Sequence, residues 1–176
     1  MKDPLLADLD EVTLTGEKPC NDGECRERLC GRMKRELRFF SFMAEENLDQ
    51  TAGYFECRQL PAGATLWQEG ESGDFIAFVV SGRLEISKQT EFAGKPIVVG
   101  ILSRGAMVGE LSVLEGSPRS ETAVVLDRLD LILLSRANLQ RLLAERPPLG
   151  IHLLQGMLLT VSRRLTRSYE RLASIF

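Results

Sequence analysis

Residues 107–120 have the sequence Met-Val-Gly-Glu-Leu-Ser-Val-Leu-Glu-Gly-Ser-Pro-Arg-Ser, which places an acid and a short apolar run between two glycines, with an arginine following. A helical turn that begins near Glu110 would leave its first backbone N–H groups unpaired at the positive end of the helix dipole, where a phosphate is favoured. Arg119 follows the turn at residues 116–118 and can offer two parallel N–H donors to the same phosphate. The 107–120 segment therefore predicts an anion-binding site.

Glu110 indicates which anion this is. A carboxylate only accepts hydrogen bonds, so Glu110 suits a ribose hydroxyl better than a phosphate, although in the absence of ligand it is expected to pair with Arg119. Phosphate and ribose together predict a nucleotide. The predicted ligand-binding residues are Gly109, Glu110, Leu111, Ser112, Arg119 and Ser120, with the two serines as added donors and Leu111 as an apolar contact.

Outward from this segment, residues 55–135 carry short β-branched or aromatic runs separated by Gly and Pro turns, which is the pattern of an all-strand region. A closed arrangement of such strands can enclose one small ligand. We predict an α+β protein: an eight-stranded antiparallel β-roll, jelly-roll-like or a double-stranded β-helix, flanked by N-terminal helices and a long C-terminal helix. The predicted strands are 55–60, 65–68, 75–81, 83–88, 96–102, 107–108, 121–126 and 130–134.

Helical periodicity marks both ends of the strand region. Charged and apolar residues interleave over 24–42, which predicts a basic amphipathic helix, and residues 45–54 predict a second short one. Ser135 is the expected N-cap of a helix over 136–145, which Pro147 and Pro148 end before a longer helix begins. The long helix carries an apolar stripe with a 4,3,4,3 spacing, typical of a two-helix coil, so we predict a homodimer; the alternative is that the stripe packs on its own β-roll. The stripe is Leu154, Leu158, Val161, Leu165, Ser168, Leu172 and Ile175.

Length and composition favour one ordinary globular domain, since the chain has 176 residues, 44% hydrophobic and 27% charged, with a net charge of −3. We divide it into an N-terminal arm with the basic helix (1–36), a ligand-binding β-roll with short helices (37–146), and a C-terminal hinge with a dimerisation helix (147–176). No apolar run approaches the ~20 residues that span a bilayer, and the first residues lack a signal-peptide core, so a cytoplasmic location without membrane contact is expected.

The four cysteines do not form a metal-binding pattern. Cys20, Cys25 and Cys30 lie at five-residue intervals, Cys57 lies in a predicted strand, and the single histidine, His152, is far along the chain. We expect free thiols and no bound metal, with a redox or metal role for the first three cysteines as the alternative.

The Gly-Glu-Leu sequence at 109–111 followed by Pro-Arg-Ser at 118–120 resembles the phosphate-binding cassette of the cyclic-nucleotide-binding domain family, which includes catabolite-activator-type regulators, protein kinase A regulatory subunits and nucleotide-gated channels. The nine-residue interval from Glu110 to Arg119 is similar to that of the kinase subunits. Turn-rich stretches at 60–63, 68–74 and 80–86 are also similar to the family, so the resemblance covers about residues 37–176. It implies a cyclic nucleotide ligand, cAMP or cGMP.

From the resemblance we expect a non-catalytic regulatory module for signal transduction, which binds cAMP more readily than cGMP and passes occupancy to the C-terminal helix. Glu121 departs from the small residue that many family members carry, and alternation along a strand would place it on the same face as Arg119. The printed sequence shows no helix-turn-helix pattern, so nucleic acid is not favoured as a partner. Two alternatives stay open: a transcription-regulator relative whose basic termini contact DNA, and a degenerate family member that binds another ligand or none.

Overall fold

The computed structural model describes residues 50–90 and 95–174, together with residue 31, and shows eight strands and three helices in these ranges. The predicted helix over 24–42 apart from residue 31, the first half (45–49) of the one over 45–54, Cys20, Cys25, Cys30 and Ile175 lie outside the described residues, whereas residues 50–52 are helical. The strands are β1 (Glu56–Leu60), β2 (Thr65–Trp67), β3 (Phe75–Ser81), β4 (Leu84–Lys88), β5 (Ile97–Leu102), β6 (Met107–Val108), β7 (Thr122–Val125) and β8 (Leu129–Ser135). The helices are α1 (Glu110–Glu115), α2 (Arg136–Glu145) and α3 (Pro147–Ala173).

The strands form two four-stranded sheets, one in the order β1-β8-β3-β6 and the other in the order β2-β7-β4-β5. Every pairing within them is antiparallel. The prediction of eight antiparallel strands followed by a long C-terminal helix is therefore confirmed, and each predicted strand end agrees with the observed one to within one residue. The more specific names, jelly roll and double-stranded β-helix, stay predictions.

Two apolar clusters lie on opposite sides of the sheet that contains β3 and β8. Alternate side chains of these strands, including Phe78 and Ile132, pack against the helices. The side chains between them, including Val79 and Leu131, pack against the second sheet. Because both faces of these strands are covered, their sequences are continuous apolar runs rather than an alternation of polar and apolar residues. Strand β6, with which the 107–120 segment begins, is therefore held by apolar packing on both faces of its sheet.

The helices after β8 form as the sequence predicts. The Ser135 side chain accepts a hydrogen bond of 3.1 Å from the backbone N–H of Asn138 and so caps α2. Helix α3 begins at Pro147 and buries Leu149, Leu153 and Met157 in its first part. Beyond these residues the predicted coil stripe is exposed over most of its length in the described chain.

Two predicted features concern metals and membranes. Over the described residues, no three His, Cys, Asp or Glu side chains are placed to hold a metal ion. No described helix is long and apolar enough to cross a membrane. Cys57 lies on β1 and is partly buried.

Candidate ligand-binding site

The 107–120 segment folds as a strand, a glycine and one short helix. Strand β6 ends at Val108, Gly109 adopts a left-handed conformation with φ 83° and ψ 7°, and α1 runs from Glu110 to Glu115. Gly116 ends the helix, again in a left-handed conformation, and its N–H donates to the carbonyl oxygen of Ser112 at 2.9 Å. The predicted helical turn at Glu110 is therefore present.

Arg119 is buried beside the start of this helix, with only 2% of its surface exposed. Its Nη1 donates to the carbonyl oxygen of Gly109 at 3.3 Å, and its Nη2 donates to that of Phe75 at 2.8 Å. The guanidinium lies 3.9 Å from the ring centre of Trp67 and 4.6 Å from that of Phe75. The structure thus brings Arg119 back against Gly109, as the sequence predicts.

The guanidinium still has donors to offer. Arg119 Nε is buried and has no hydrogen-bond partner among the described residues, and the same holds for Nε1 of the adjacent Trp67. Burial lowers the pKa of Arg119, whereas the carboxylates of Asp74, Glu121, Glu71 and Glu110 act to raise it. Arginine nevertheless stays protonated in proteins. A buried cation with an unpaired donor and no ion pair in the described chain fits the phosphate of a nucleotide.

Glu110 is paired with a residue that sequence reasoning did not identify. Its Oε1 lies 3.5 Å from Nη1 of Arg164, which is on α3, and Nη2 of Arg164 donates to the carbonyl oxygen of Met107. The expectation that Glu110 pairs with Arg119 is therefore wrong, because α3 crosses the segment and supplies a nearer cation. Burial raises the pKa of Glu110, which its backbone hydrogen bond and Arg164 partly counter.

The other predicted site residues have different environments. Ser112 is buried, and its hydroxyl donates to the carbonyl oxygen of Pro118 at 3.1 Å, so it supports the turn that leads to Arg119. Leu111 is half exposed, at 49%, on the outer side of α1. The Ser120 hydroxyl donates to Oε2 of Glu121. Contact of these three residues with a ligand stays a prediction.

Arg136 stabilises the 107–120 segment, a role that the sequence analysis did not predict. Its Nη2 donates to the carbonyl oxygens of Gly73 at 3.0 Å and Ser112 at 2.7 Å, and so joins the turn before β3 to α1. Arg136 is the first residue of α2, far along the chain from both acceptors. No local sequence pattern predicts such a contact, because the position of Arg136 depends on where strand β8 ends in the folded protein.

A groove of about 870 Å³ lies beside the segment, between α3 and the region from β5 to Ala106. Val99 and Ile101 of β5 form an apolar wall, while Arg164, Arg167 and Ser168 line the helical side. Arg164 therefore belongs to the groove and, through Glu110, to the 107–120 segment. None of residues 107–120 lines the groove, so Arg164 is the residue that connects the two features.

Comparison with known proteins defines the class. The model of the cyclic nucleotide-binding domain family matches residues 57–146, and the chain belongs to that family. The structure is similar to a cyclic nucleotide-binding domain from Methylobacillus flagellatus, with a TM-score of 0.74, 27% identity and coverage of 87% of this chain and 85% of the other.

Two relatives are regulators or receptors in bacteria. The cyclic AMP receptor protein of Thermus thermophilus is 31% identical over 68% of this chain and 54% of its own length. The CRP-like cAMP-activated global transcriptional regulator of Mycobacterium tuberculosis is 30% identical over 65% of this chain and 49% of its own length. The chain thus spans about half the length of these relatives, and the ligand in both of their names is cAMP.

Substitution of Gly109 tests the close approach of Arg119. Gly109 and Gly105 both have positive φ, at 83° and 85°, so alanine at either is expected to destabilise the fold by ~1–2 kcal/mol. A Cβ at Gly109 would in addition collide with Arg119 Nη1 and come within 3.0 Å of the Phe75 carbonyl oxygen, whereas at Gly105 it would meet no described atom within 4 Å. Urea unfolding should therefore show a clearly larger loss for Gly109→Ala than for the control Gly105→Ala. Equal losses would contradict the packing of Arg119 on Gly109.

Proposed function

We propose that this chain is a non-catalytic, cytoplasmic sensor that binds a cyclic nucleotide, cAMP in preference to cGMP, and couples occupancy to α3. The observation that carries the proposal is Arg119, a buried guanidinium with an unpaired Nε and no ion pair in the described chain. Family membership supports a cyclic nucleotide as its ligand. The names of the two bacterial relatives, both of which include cAMP, support the preference for adenine.

The ligand would lie across the 107–120 segment and the groove. Arg119 and the first N–H groups of α1 would bind the cyclic phosphate, with Ser120 as a further donor. Glu110 would accept a hydrogen bond from the ribose 2′-hydroxyl. The base would lie in the groove, between the apolar wall of β5 and the Ser168 side of α3.

Titration calorimetry with cAMP and cGMP tests the phosphate contact. In Arg119→Lys the charge is kept but the two-pronged donor is lost, and a lost charge-assisted hydrogen bond of ~2–3 kcal/mol corresponds to about 30- to 150-fold weaker cAMP binding. Arg83→Lys is the matched control, because Arg83 is exposed and pairs with Asp127 at 2.5 Å, outside the proposed site. Unchanged cAMP affinity in Arg119→Lys would refute the assignment.

Arg164 is the proposed connection between ligand and helix. Its guanidinium contacts both Glu110 Oε1 and the Met107 carbonyl oxygen. A ribose hydroxyl that binds Glu110 would therefore alter the contacts that hold α3 against the 107–120 segment. Only a ligand with different contacts in two helix positions can shift the helix. The Glu110–Arg164 pair supplies that difference.

Hydrogen exchange measures this coupling. Addition of cAMP should change amide exchange over residues 160–173 in the unmodified protein, and Arg164→Ala should remove most of that change when both proteins are compared at cAMP concentrations that saturate them. Arg163→Ala, at the exposed neighbouring position, is the control that should retain the response. A full response in Arg164→Ala would show that the coupling runs through other contacts.

We also propose that a second copy of the chain covers the outer stripe of α3. Leu158, Leu165 and Leu172 are 67%, 50% and 57% exposed and follow the spacing of a two-helix coil. Such a stripe buries its apolar surface when two helices pair, and the pair would bring two ligand grooves to one seam.

Sedimentation measures the state of association. The unmodified protein should sediment as a dimer, and Leu165→Asp should shift it towards monomer, because an unpaired charge in a coil seam is strongly unfavourable. Thr166→Asp, with the same charge at the next position, should leave the dimer intact. A monomeric unmodified protein at high concentration would refute the dimer.

A further inference from the structure

Glu121 lies next to the proposed phosphate site without a cation of its own. The chain bends at residues 120–121 and β7 starts at Thr122, so the strand predicted from 121 begins one residue later and its alternation does not govern Glu121. The carboxylate is half-buried and accepts a hydrogen bond from the Ser120 hydroxyl. It is therefore held against one of the predicted ligand-binding residues.

Two other carboxylates near the site are paired with cations. Glu110 lies 3.5 Å from Arg164, and Glu69 lies 3.6 Å from Lys88, whose Nζ also donates to the carbonyl oxygen of Ser120. In the described chain, Glu121 has no cation within ion-pair distance, and its charge acts on both Arg119 and Glu110. Asp74 and Glu71 also act on Arg119, but of these three acids Glu121 is the one whose carboxylate accepts a hydrogen bond from a predicted ligand-binding residue, Ser120.

An uncompensated carboxylate discriminates between phosphates by their charge. The phosphodiester of a cyclic mononucleotide carries one negative charge, whereas the terminal phosphate of a linear mononucleotide carries about 1.5–2 at pH 7. Coulomb energy is proportional to the charge of the ligand, so Arg119 alone would attract the linear phosphate more strongly. Repulsion from a nearby carboxylate grows in the same proportion and opposes that advantage.

We propose that Glu121 is a specificity-determining residue, which favours the singly charged cyclic phosphate over the doubly charged phosphate of the corresponding linear nucleotide. The inference rests on the proposed binding of a cyclic nucleotide at Arg119. It gives a physical role to the residue at which this chain departs from the small side chain common at that position. The departure then adjusts selectivity rather than abolishing the site.

Paired titrations of cAMP and 5′-AMP against the unmodified protein and Glu121→Gln test the inference. Glutamine keeps the size of the side chain and can still accept the Ser120 hydrogen bond, so the variant removes the charge alone. Removing one nearby charge should tighten cAMP binding about fivefold and 5′-AMP binding about 25-fold, since the effect on the binding energy doubles with the ligand charge. Selectivity for the cyclic form should then fall about fivefold.

Glu85→Gln is the matched control, because Glu85 is also half-buried in the same half of the roll, on β4, and does not contribute to the electrostatics of Arg119 or Glu110. It changes the net charge equally and should leave both affinities unchanged. Salt provides a second measurement. Screening at 1 M salt, where the Debye length is ~3 Å, should reduce the effect of Glu121→Gln on the selectivity.

The outcomes separate this inference from the proposed function. Unmodified protein that binds cAMP with no change in selectivity in Glu121→Gln overturns the role of Glu121 and leaves the proposed function standing. Binding by the variant alone overturns both, because Glu121 would then exclude the cyclic phosphate as well and the natural chain would not bind cAMP. Binding of neither nucleotide to either protein overturns both.

Discussion

The buried guanidinium of Arg119 is the group on which the rest of the site depends. A cation without contact to water is strongly unfavourable unless polar acceptors surround it, and here the carbonyl oxygens of Gly109 and Phe75 serve, with the Trp67 ring stacked against it. Those acceptors come from β3 and from the residue after β6, which are hydrogen-bonded neighbours in one sheet. The pairing of β3 with β6 therefore creates the place where the cation can be buried.

The use of carbonyl oxygens in place of carboxylates has a chemical consequence. A carboxylate partner would neutralise Arg119 and compete directly with a phosphate, whereas carbonyl dipoles stabilise the guanidinium and leave its charge available. Glu110, the acid that the sequence places nearest, is instead paired with Arg164 from α3. The chain thus separates the two charged groups of the 107–120 segment, and in the proposed complex each would bind a different part of the nucleotide.

Much of the fold could be predicted because its determinants are local. Glycines and prolines mark the turns, β-branched runs mark the strands, and Ser135 caps α2, so the strand ends agree with the sequence pattern to within one residue. The candidate site followed from the spacing of Glu110 and Arg119. The Arg164 pair, the Arg136 bridge and the Trp67 stacking were not predicted, since each joins residues tens of positions apart whose proximity depends on strand order and on the path of α3.

Helix α3 presents two different surfaces at the same height along its axis. Arg164, Arg167 and Ser168 face the groove, while Leu158, Leu165 and Leu172 are exposed on a neighbouring face. A rigid helix cannot move one face without the other, so a displacement of Arg164 by a ligand at Glu110 would also displace the leucine stripe. Coupling of this kind needs no long chain of contacts through the roll. It requires only that α3 carries Arg164, the partner of Glu110, on one face and the exposed leucines on the neighbouring face.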